Sequence, residues 1–314
     1  MSFDGAPLGF ARVHDRWGVR NHVLVLPSVV CATVVAEKAA REHGVAIVHQ
    51  HGCAHVGDDV EQTERTFIGI ATNPNVGATV VVGLGCETIQ GRRLAHRIAE
   101  AGQHVEFVGI QACGGTDAAV SSASEAVRRL AVELAAQEHK PFALEDLMIG
   151  IDSGPQGPVA AADLLAELAC GQGASVVQAL AQGGSELRGI WSEARRLAYS
   201  EPLGRNSLGV MEHAGRAGEQ HAGLAAAGAQ VLVSFCGRVQ APVGFAICPV
   251  VAVAGDSGMF AALGDDYDVD GSGPPIQVAE ATWAAIKLVL SGNRISAELR
   301  GATDFSLLRL ARTM

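Results

Sequence analysis

The chain has 314 residues, of which 48% are hydrophobic and 18% are charged, and its formal net charge at pH 7 is −10. This length exceeds one ordinary hydrophobic core and indicates two domains, while the acidic charge disfavours nucleic acid as a partner. The segment from Met1 to Arg20 lacks a signal-peptide pattern, and the apolar stretch from Val23 to Ala36 is too short to span a bilayer. Seven cysteines lie in strand-like and helical contexts, which favours reduced thiols. We therefore expect a cytoplasmic protein.

Short Val- and Ile-rich runs alternate with helical patterns in the first part of the chain. The runs are 23–26, 45–48, 79–82 and 107–110, and the helical patterns that follow them are 32–43, 60–71, 89–101 and 116–137. This alternation predicts parallel strands joined by crossover helices, as in a doubly wound α/β domain. The segment 139–142 interrupts the pattern as a linker does, so the first domain is placed at residues 1–140.

A second α/β domain is predicted at residues 141–314. The predicted strands are 147–151, 174–178, 230–235 and 244–254, and the predicted helices are 159–170, 185–199 and 276–290, with a further helix from residue 296. The fold prediction is thus two doubly wound, Rossmann-like halves with mostly parallel sheets.

Each predicted strand of the first domain leads into a chemically active residue. In chain order these residues are Cys31, then His49, His51 and Cys53, then Cys86 and Glu87, and finally Gln111 and Cys113. Because the carboxyl ends of parallel strands meet at one edge of the sheet, we expect these side chains to gather there. Thiols and imidazoles are ligands for soft metals, so the pattern predicts a metal site in the first domain.

Several motifs resemble the altronate/galactarate dehydratase family, which also includes the large subunits of sulfolactate sulfo-lyases. The strong motifs are Gly18-Val19-Arg20-Asn21, His51-Gly52-Cys53, Asn73-Pro74-Asn75 and Gly83-Leu84-Gly85-Cys86-Glu87. Weaker ones are Gly237-Arg238, Pro242-Val243-Gly244, Pro249-Val250 and the run 266–271. Members of this family eliminate water or sulfite from hydroxy acids and depend on iron. The resemblance implies an iron-dependent hydro-lyase that acts on a small hydroxy acid or sugar acid.

The chain departs from the family pattern in the second domain. The family's Cys-Gly-Gly-Ser-Asp is reduced to Ser153-Gly154-Pro155-Gln156-Gly157, and its Glu-Lys-Ser-Leu-Gly becomes Glu212-His213-Ala214-Gly215. These changes leave open the alternative of a non-catalytic, carboxylate-binding or regulatory subunit. Family members often carry a small N-terminal β-rich domain, whereas this chain starts directly at the catalytic-type region. We therefore expect a small β-rich accessory subunit and an oligomeric assembly.

The candidate metal ligands are Cys31, Cys53 and Cys86. Three thiolates with one open position would hold a metal that polarises a leaving hydroxyl group, either as an exposed iron of an iron–sulfur cluster or as mononuclear Fe(II). The alternative is that these cysteines are buried core residues, because free cysteine packs well in protein interiors. We interpret the remaining second-domain cysteines, Cys170, Cys236 and Cys248, as core residues.

The candidate catalytic residues are His51, Glu87 and Arg238. His51 is a base or a ligand because imidazole titrates near neutral pH, with a solvated loop histidine as the alternative. Glu87 is a base or a carboxylate that orients the ligands, with a helix N-terminal acid as the alternative. Arg238 would hold a substrate carboxylate in a bidentate manner, with a surface salt bridge as the alternative.

The candidate substrate-binding residues are Arg20, Asn21, Gln111, Thr116 and Glu212. Arg20 is a second candidate clamp for a carboxylate. Gln111 and the segment 114–116 would offer backbone donors to an anion at a helix start, although an N-cap formed by Thr116 explains the same residues.

A nucleotide-dependent oxidoreductase is a third and less favoured class, because Thr88 replaces the last glycine of a dinucleotide loop that would begin at Gly83.

Overall fold

We describe the protein from a computed structural model. The described residues are 6–53, 56–154, 157–180, 187, 189–212, 215–237 and 241–310. For Glu212, only the backbone is described. The strands are β1 (Leu8–Ala11), β2 (Trp17–Gly18), β3 (His22–Pro27), β4 (Val45–Ala46), β5 (Val76–Gly83), β6 (Val105–Gly109), β7 (Lys140–Pro141), β8 (Met148–Ser153), β9 (Ser175–Leu180), β10 (Arg195–Leu197), β11 (Leu208–Glu212), β12 (Val231–Phe235), β13 (Val250–Ala254) and β14 (Val269–Asp270). The helices are α1 (Thr33–Ala40), α2 (Asp58–Ala71), α3 (Gly91–Glu100), α4 (Thr116–Ala135), α5 (Val159–Gly171), α6 (Ala217–Ala226), α7 (Ser257–Ala262), α8 (Pro275–Leu290) and α9 (Ser296–Leu299).

Two parallel sheets form the centre of the described structure. The first has the strand order β4-β3-β5-β6, and the second has the order β10-β11-β9-β8-β12-β13-β14. A small antiparallel sheet, β2-β1-β7, joins the N-terminus to the segment between the two parallel sheets. The predicted α/β class with mostly parallel sheets is confirmed.

Helices cover both faces of each parallel sheet, which explains why the central strands are apolar throughout. In β5, for example, every residue except Gly77 is buried, as expected of a strand packed on both sides. Helices α1 and α4 pack on one face of the first sheet, and α2 and α3 pack on the other. Helix α3 is clearly amphipathic, since Leu94 and Ile98 are buried while its arginines face outward.

The two sheets share one hydrophobic core. Helix α2 of the first sheet packs against α6 of the second, and the buried cluster that results includes Phe67 and Ile70 from α2 together with Leu224 from α6. Gly69 lies at this contact, where a Cβ atom would come within 2.5 Å of the Ala226 carbonyl oxygen. The two sheets are therefore held in a fixed relationship by close helix packing.

Most predicted elements are found within a few residues of their predicted ends. The prediction of a helix at 185–199 is wrong. Residues 189–193 form a short 3-10 turn, and residues 195–197 form strand β10, which pairs in parallel with β11. Residues 181–186 and 188 lie outside the described residues. Gly189 has a φ of +58°, which is unsuited to an α-helix. Pairing with β11, which the local pattern does not encode, determines the conformation of β10.

The chain contains further elements that the sequence patterns did not predict. These are the small strands β1, β2, β7 and β14, the strand β11, and the helices α6 and α7. Among the described residues, no helix combines the length and apolarity needed to cross a bilayer.

Candidate active site

The loops that follow β3, β4, β5 and β6 leave from the same edge of the first sheet, because the four strands are parallel. Cys31 follows β3 within a 3-10 turn formed by Val30–Ala32, Cys53 follows β4, and Cys86 follows β5. Since β3 lies between β4 and β5, these three loops are neighbours. The topology thus brings the predicted cysteine loops to one edge, as the sequence pattern predicts.

A buried histidine fixes the loop that carries His51 and Cys53. The side chain of His49 is only 4% exposed, and its Nε2 atom lies 2.8 Å from the carbonyl oxygen of Pro27. Its Nδ1 atom accepts a hydrogen bond of 3.2 Å from the backbone N–H of His51. An imidazole that donates from one nitrogen and accepts at the other is neutral, so His49 is a structural residue here.

His51 is more accessible than His49. Its side chain is half-buried, and its ring lies nearly parallel to that of His49, with the two centroids 6.0 Å apart. The carbonyl oxygen of His51 accepts a hydrogen bond of 2.7 Å from the backbone N–H of Val30. This bond joins the His51 loop to the turn that contains Cys31.

All three predicted metal ligands are exposed to solvent. The Sγ atom of Cys53 lies 3.9 Å from the carbonyl oxygen of Cys86, and the Thr88 hydroxyl donates to the carbonyl oxygen of Cys53 at 3.2 Å. The loops after β4 and β5 are therefore in direct contact. The alternative interpretation of Cys31, Cys53 and Cys86 as buried core residues is wrong for these positions.

The donor chemistry at this edge suits a soft metal such as iron, since accessible thiols and an accessible imidazole are its preferred ligands. As the side chains stand, however, the described part of the chain contains no group of three or more His, Cys, Asp or Glu residues placed to hold one ion. Metal binding by Cys31, Cys53 and Cys86 remains a prediction that requires their side chains to converge.

The cysteines of the second sheet differ from those of the first. Cys236 and Cys248 are buried, and Cys170, which lies in α5, is half-buried against the core. Burial raises the pKa of the Cys236 thiol to about 11 and raises the pKa of Cys248 further. The interpretation of Cys236 and Cys248 as core residues is confirmed.

Glu87 is almost fully buried, with 3% of its surface exposed. Its carboxylate accepts hydrogen bonds from the N–H groups of Gly85, at 2.5 Å, and Gly91, at 3.0 Å, and from the Ser28 hydroxyl, at 3.1 Å. Burial alone would raise the pKa of Glu87, but these hydrogen bonds outweigh it and the pKa is lowered. The contact with Gly91, the first residue of α3, is that of an acid at a helix N-terminus.

The Glu87 contacts organise the turn that carries Cys86. A carboxylate that bonds to residues on both sides of Cys86 fixes the path of the backbone between β5 and α3. The contact with α3 matches the helix N-terminal acid that is the alternative for Glu87, while its predicted roles as a base or as a carboxylate that orients the ligands stay predictions.

Gln111 and Thr116 lie on the loop between β6 and α4, at the same edge of the sheet. Gln111 is exposed, and its backbone N–H donates to the carbonyl oxygen of Leu84 at 3.2 Å. Helix α4 begins at Thr116, and its N-cap is Gly115. Thr116 therefore does not cap the helix, and the N-cap explanation of this residue is wrong.

Arg20 and Asn21 lie at the opposite edge of the sheet, because they precede β3. Arg20 forms a two-pronged ion pair with Glu298, with contacts of 2.7 and 2.8 Å, and also donates to the carbonyl oxygen of Asn293 at 2.7 Å. Asn21 accepts from Arg12 and donates to the carbonyl oxygen of Leu134. Strand β3 has six residues, which separates its ends by about 20 Å.

The structure therefore does not bring Arg20 and Asn21 together with the predicted cysteine ligands. Both side chains are engaged in structural contacts, and both are remote from the cysteine loops. The salt-bridge alternative considered for Arg20 is the one found.

Two predicted residues belong to the second sheet. Arg238 lies outside the described residues, as does the side chain of Glu212. The backbone of Glu212 ends β11, where it pairs with Leu180 of β9. The roles predicted for Arg238 and Glu212 stay predictions.

The sequence patterns missed a buried polar cluster in the second sheet. The carboxylate Oδ2 of Asp152, near the end of β8, accepts a hydrogen bond of 3.0 Å from the Ser234 hydroxyl and lies 3.5 Å from Nε2 of His221. All three side chains are buried. One signal was present in the sequence, since Asp152 interrupts an apolar strand, but its partners on β12 and α6 are distant in the chain.

Two sequence models from one family match this chain. The model described as D-galactarate dehydratase/Altronate hydrolase, second domain, matches residues 9–135. The model described as D-galactarate/Altronate dehydratase, C-terminal, matches residues 182–313.

Three curated relatives match shorter parts of the chain. Altronate dehydratase of Bacillus subtilis (strain 168) is 33% identical over 32% of this chain. The (2R)-sulfolactate sulfo-lyase subunit beta of Chromohalobacter salexigens is 30% identical over 47% of this chain, and altronate dehydratase of Escherichia coli (strain K12) is 27% identical over 46%. The matched parts span 23%, 38% and 31% of these proteins, respectively.

Proposed function

Because this chain belongs to the D-galactarate/altronate dehydratase family, we propose that it is an iron-dependent hydro-lyase that eliminates water from a small hydroxy acid or sugar acid. The observation that carries the proposal is the convergence of the Cys31, Cys53 and Cys86 loops at one edge of the first sheet, beside His51. This edge lies within the part of the chain that matches the family's second-domain model.

The elimination requires a base for the acidic proton next to the substrate carboxylate. His51 is the candidate, because its half-buried ring is accessible and its backbone is held at two points. Its N–H donates to the ring of His49, and its carbonyl oxygen accepts from the N–H of Val30. An imidazole nitrogen can take up such a proton near neutral pH. Glu87 supports the site indirectly by holding the turn at Cys86.

The metal would be held by Cys31, Cys53 and Cys86. Bound iron supplies a Lewis acid for the departing hydroxyl group, which is otherwise a poor leaving group. Mononuclear Fe(II) and an exposed iron of a cluster are both compatible with thiolate ligands.

The substrate carboxylate would be held by Arg238, supported by Gln111 and the start of α4. Gln111 and Thr116 are exposed at the edge that carries the cysteines. A guanidinium group binds a carboxylate with two parallel hydrogen bonds, which suits Arg238 to this role.

The proposal is tested with anaerobically purified protein. We expect bound iron, and turnover of at least one member of a panel of 2,3-dihydroxy acids and sugar acids, detected as the 2-oxo acid that forms when the enol product tautomerises. Cys53→Ser should lose both iron and turnover, whereas the matched control Cys170→Ser, at a half-buried thiol of the second sheet, should keep both. His51→Ala should keep the iron and lose turnover by about 10²-fold or more.

The alternative function, a non-catalytic carboxylate-binding or regulatory subunit, predicts a different result. It is favoured by the altered motif that begins at Ser153, where the family pattern has cysteine. Tight binding of a hydroxy acid to protein that holds no iron and shows no turnover would support this alternative and contradict the lyase proposal.

We also propose an accessory subunit. The name of one relative, the beta subunit of a sulfolactate sulfo-lyase, supports this proposal. Co-purification of a small β-rich chain encoded beside this one, with an increase in turnover when the two are mixed, is the expected result.

A further inference from the structure

A cavity of about 730 Å³ opens between the two parallel sheets, away from the candidate active site. Several lining residues immediately precede strands: Pro74 precedes β5, Asp146 precedes β8, and Gln230 precedes β12. The cavity therefore lies at the amino-terminal edges of both sheets, whereas the cysteine loops lie at the carboxyl-terminal edge of the first. A ligand here would contact both halves of the molecule.

The lining of this cavity is rich in arginine. Five arginines and three carboxylates line it, namely Arg16, Arg65, Arg93, Arg97 and Arg205 with Glu61, Glu64 and Asp146. This excess of positive groups is unusual in a chain whose formal net charge is −10. An arginine-rich concave surface attracts anions, because its field is strengthened by the low-dielectric walls around it.

Three of the arginines are already paired with carboxylates. Arg97 contacts Glu64 at 2.6 Å, Arg93 lies 3.9 Å from the same carboxylate, and Arg205 pairs with Asp146. The carboxylates of Glu64 and Asp146 are therefore already engaged in ion pairs. Among the described residues, no carboxylate lies within ion-pair distance of Arg16 or Arg65, although the charge of Arg65 helps to lower the pKa of Glu201.

Arg16 and Arg65 bond only to backbone carbonyl groups in the described structure. Arg16 donates from Nη1 to Thr72 at 2.9 Å, and Arg65 donates from Nε and Nη2 to Tyr199 at 3.1 and 2.9 Å. The Nε atom of Arg16 is buried and has no hydrogen-bond partner in the part of the chain that the structure describes. Burial lowers the pKa of the Arg16 guanidinium, as expected of a charge partly removed from water. An anion in the cavity would supply the missing counter-charge.

Much of the remaining lining is apolar. Ile68, Met148, Leu203 and Ala226 contribute hydrocarbon surface to the same cavity. Its volume falls within the range of roughly 300–1,000 Å³ that is usual for small-molecule sites. We propose that this cavity binds a small organic anion, which presents a carboxylate or phosphate group to Arg16 and Arg65 and an apolar body to Met148 and Leu203.

The proposal is tested by isothermal titration of the full chain with three probes: AMP, 4-hydroxybenzoate and inorganic phosphate. AMP and 4-hydroxybenzoate carry an aromatic ring together with a phosphate or a carboxylate, respectively, so they distinguish the two anion types. We expect saturable binding of at least one of these two at a single site. Saturable binding of inorganic phosphate alone, or of none of the probes, would overturn the proposal.

The site is located with arginine variants. Arg65→Gln should weaken binding of the successful probe by about tenfold or more, because a charge-assisted hydrogen bond is lost. Arg93→Gln is a second variant that should fold normally, since its side chain is 71% exposed, and it should weaken binding to a smaller extent. The control Arg128→Gln, on an exposed face of α4, should bind as the wild type does. Equal affinity in the wild type, Arg65→Gln and Arg93→Gln would show that these arginines serve only the fold.

Discussion

The Nε2 atom of His49 lies 2.8 Å from the carbonyl oxygen of Pro27, which joins the loop after β4 to the end of β3. The other ring nitrogen accepts from the backbone N–H of His51. One neutral imidazole thus connects the end of a central strand to the residue that we propose as the base. The ring also packs 5.0 Å from that of Phe67, so α2 helps to hold it in place.

We predict that His49→Phe lowers the free energy of unfolding by about 1–3 kcal/mol, because both buried hydrogen bonds are lost while the ring volume is kept. Turnover should fall by more than the loss of folded protein explains, since the His51 loop is no longer anchored. Chemical denaturation and steady-state kinetics measure the two effects. The exposed His104→Gln is the control and should change neither. Unchanged kinetics in folded His49→Phe would contradict the anchoring role.

Arg20 and Glu298 connect the start of β3 to α9 near the C-terminus, and their side chains are only 12% and 18% exposed. We predict that Arg20→Met destabilises the protein by about 2 kcal/mol, less than for a fully buried pair because solvent screens part of the interaction. The double variant Arg20→Met/Glu298→Leu should be less destabilised than the sum of the two single variants. Denaturant unfolding of all four proteins gives the coupling. Strict additivity would show that the ion pair contributes nothing.

The parts of the fold that follow from local sequence were predictable, and those that depend on distant pairing were not. The Val-rich run 79–82 predicts strand β5, and the helical composition of 116–137 predicts α4. The segment that forms β10 has an equally plausible helical pattern, but its pairing with β11 prevails. A pattern read along the chain contains no information on that partner.

The same limit applies to the candidate site. The cysteine loops could be placed at one edge because parallel topology brings successive strand ends together. The role of Arg20 could not be predicted, because Glu298 lies 278 positions away in the chain. The contacts of Asp152 with His221 and Ser234 could not be predicted for the same reason.

The exposure of the cysteines predicts their reactivity. In metal-free, reduced protein, Cys31, Cys53 and Cys86 should react rapidly with a thiol reagent such as Ellman's reagent, while Cys236 and Cys248 should react only after unfolding. Burial raises the pKa of Cys236 to about 11, which further lowers its thiolate fraction at neutral pH. Mass spectrometry of the labelled protein identifies the modified positions. Rapid labelling of Cys236, or none of Cys86, would contradict the described arrangement.

If iron binds as proposed, it should protect the exposed thiols. Labelling of Cys31, Cys53 and Cys86 should slow after anaerobic addition of Fe(II), because a metal-bound thiolate is a weaker nucleophile than a free one. Cys170 is the internal control, since it is half-buried in α5 and should label at the same rate with and without the metal. Equal labelling of all four residues in both conditions would argue against thiolate ligation at this edge.

Glu87 should make the stability of the protein depend on pH. The hydrogen bonds from Gly85, Gly91 and Ser28 act against burial and lower the pKa of Glu87 in the folded state. An unfolded chain has a glutamate pKa of about 4.3. The stabilising contribution of Glu87 is therefore fully present above this value and is lost as the pH falls towards and through the lower, folded pKa.

We predict that Glu87→Gln destabilises the protein at pH 7 by about 1–3 kcal/mol, because a neutral amide replaces a buried carboxylate that accepts backbone hydrogen bonds. The difference from the wild type should shrink below about pH 4, where the wild-type carboxylate also becomes neutral. Urea unfolding from pH 3 to pH 8 measures both effects, with the exposed Glu125→Gln as the control. A difference that stays constant over this range would mean that the Glu87 charge does not stabilise the turn at Cys86, and its negative charge would then be available for another role at this edge of the sheet.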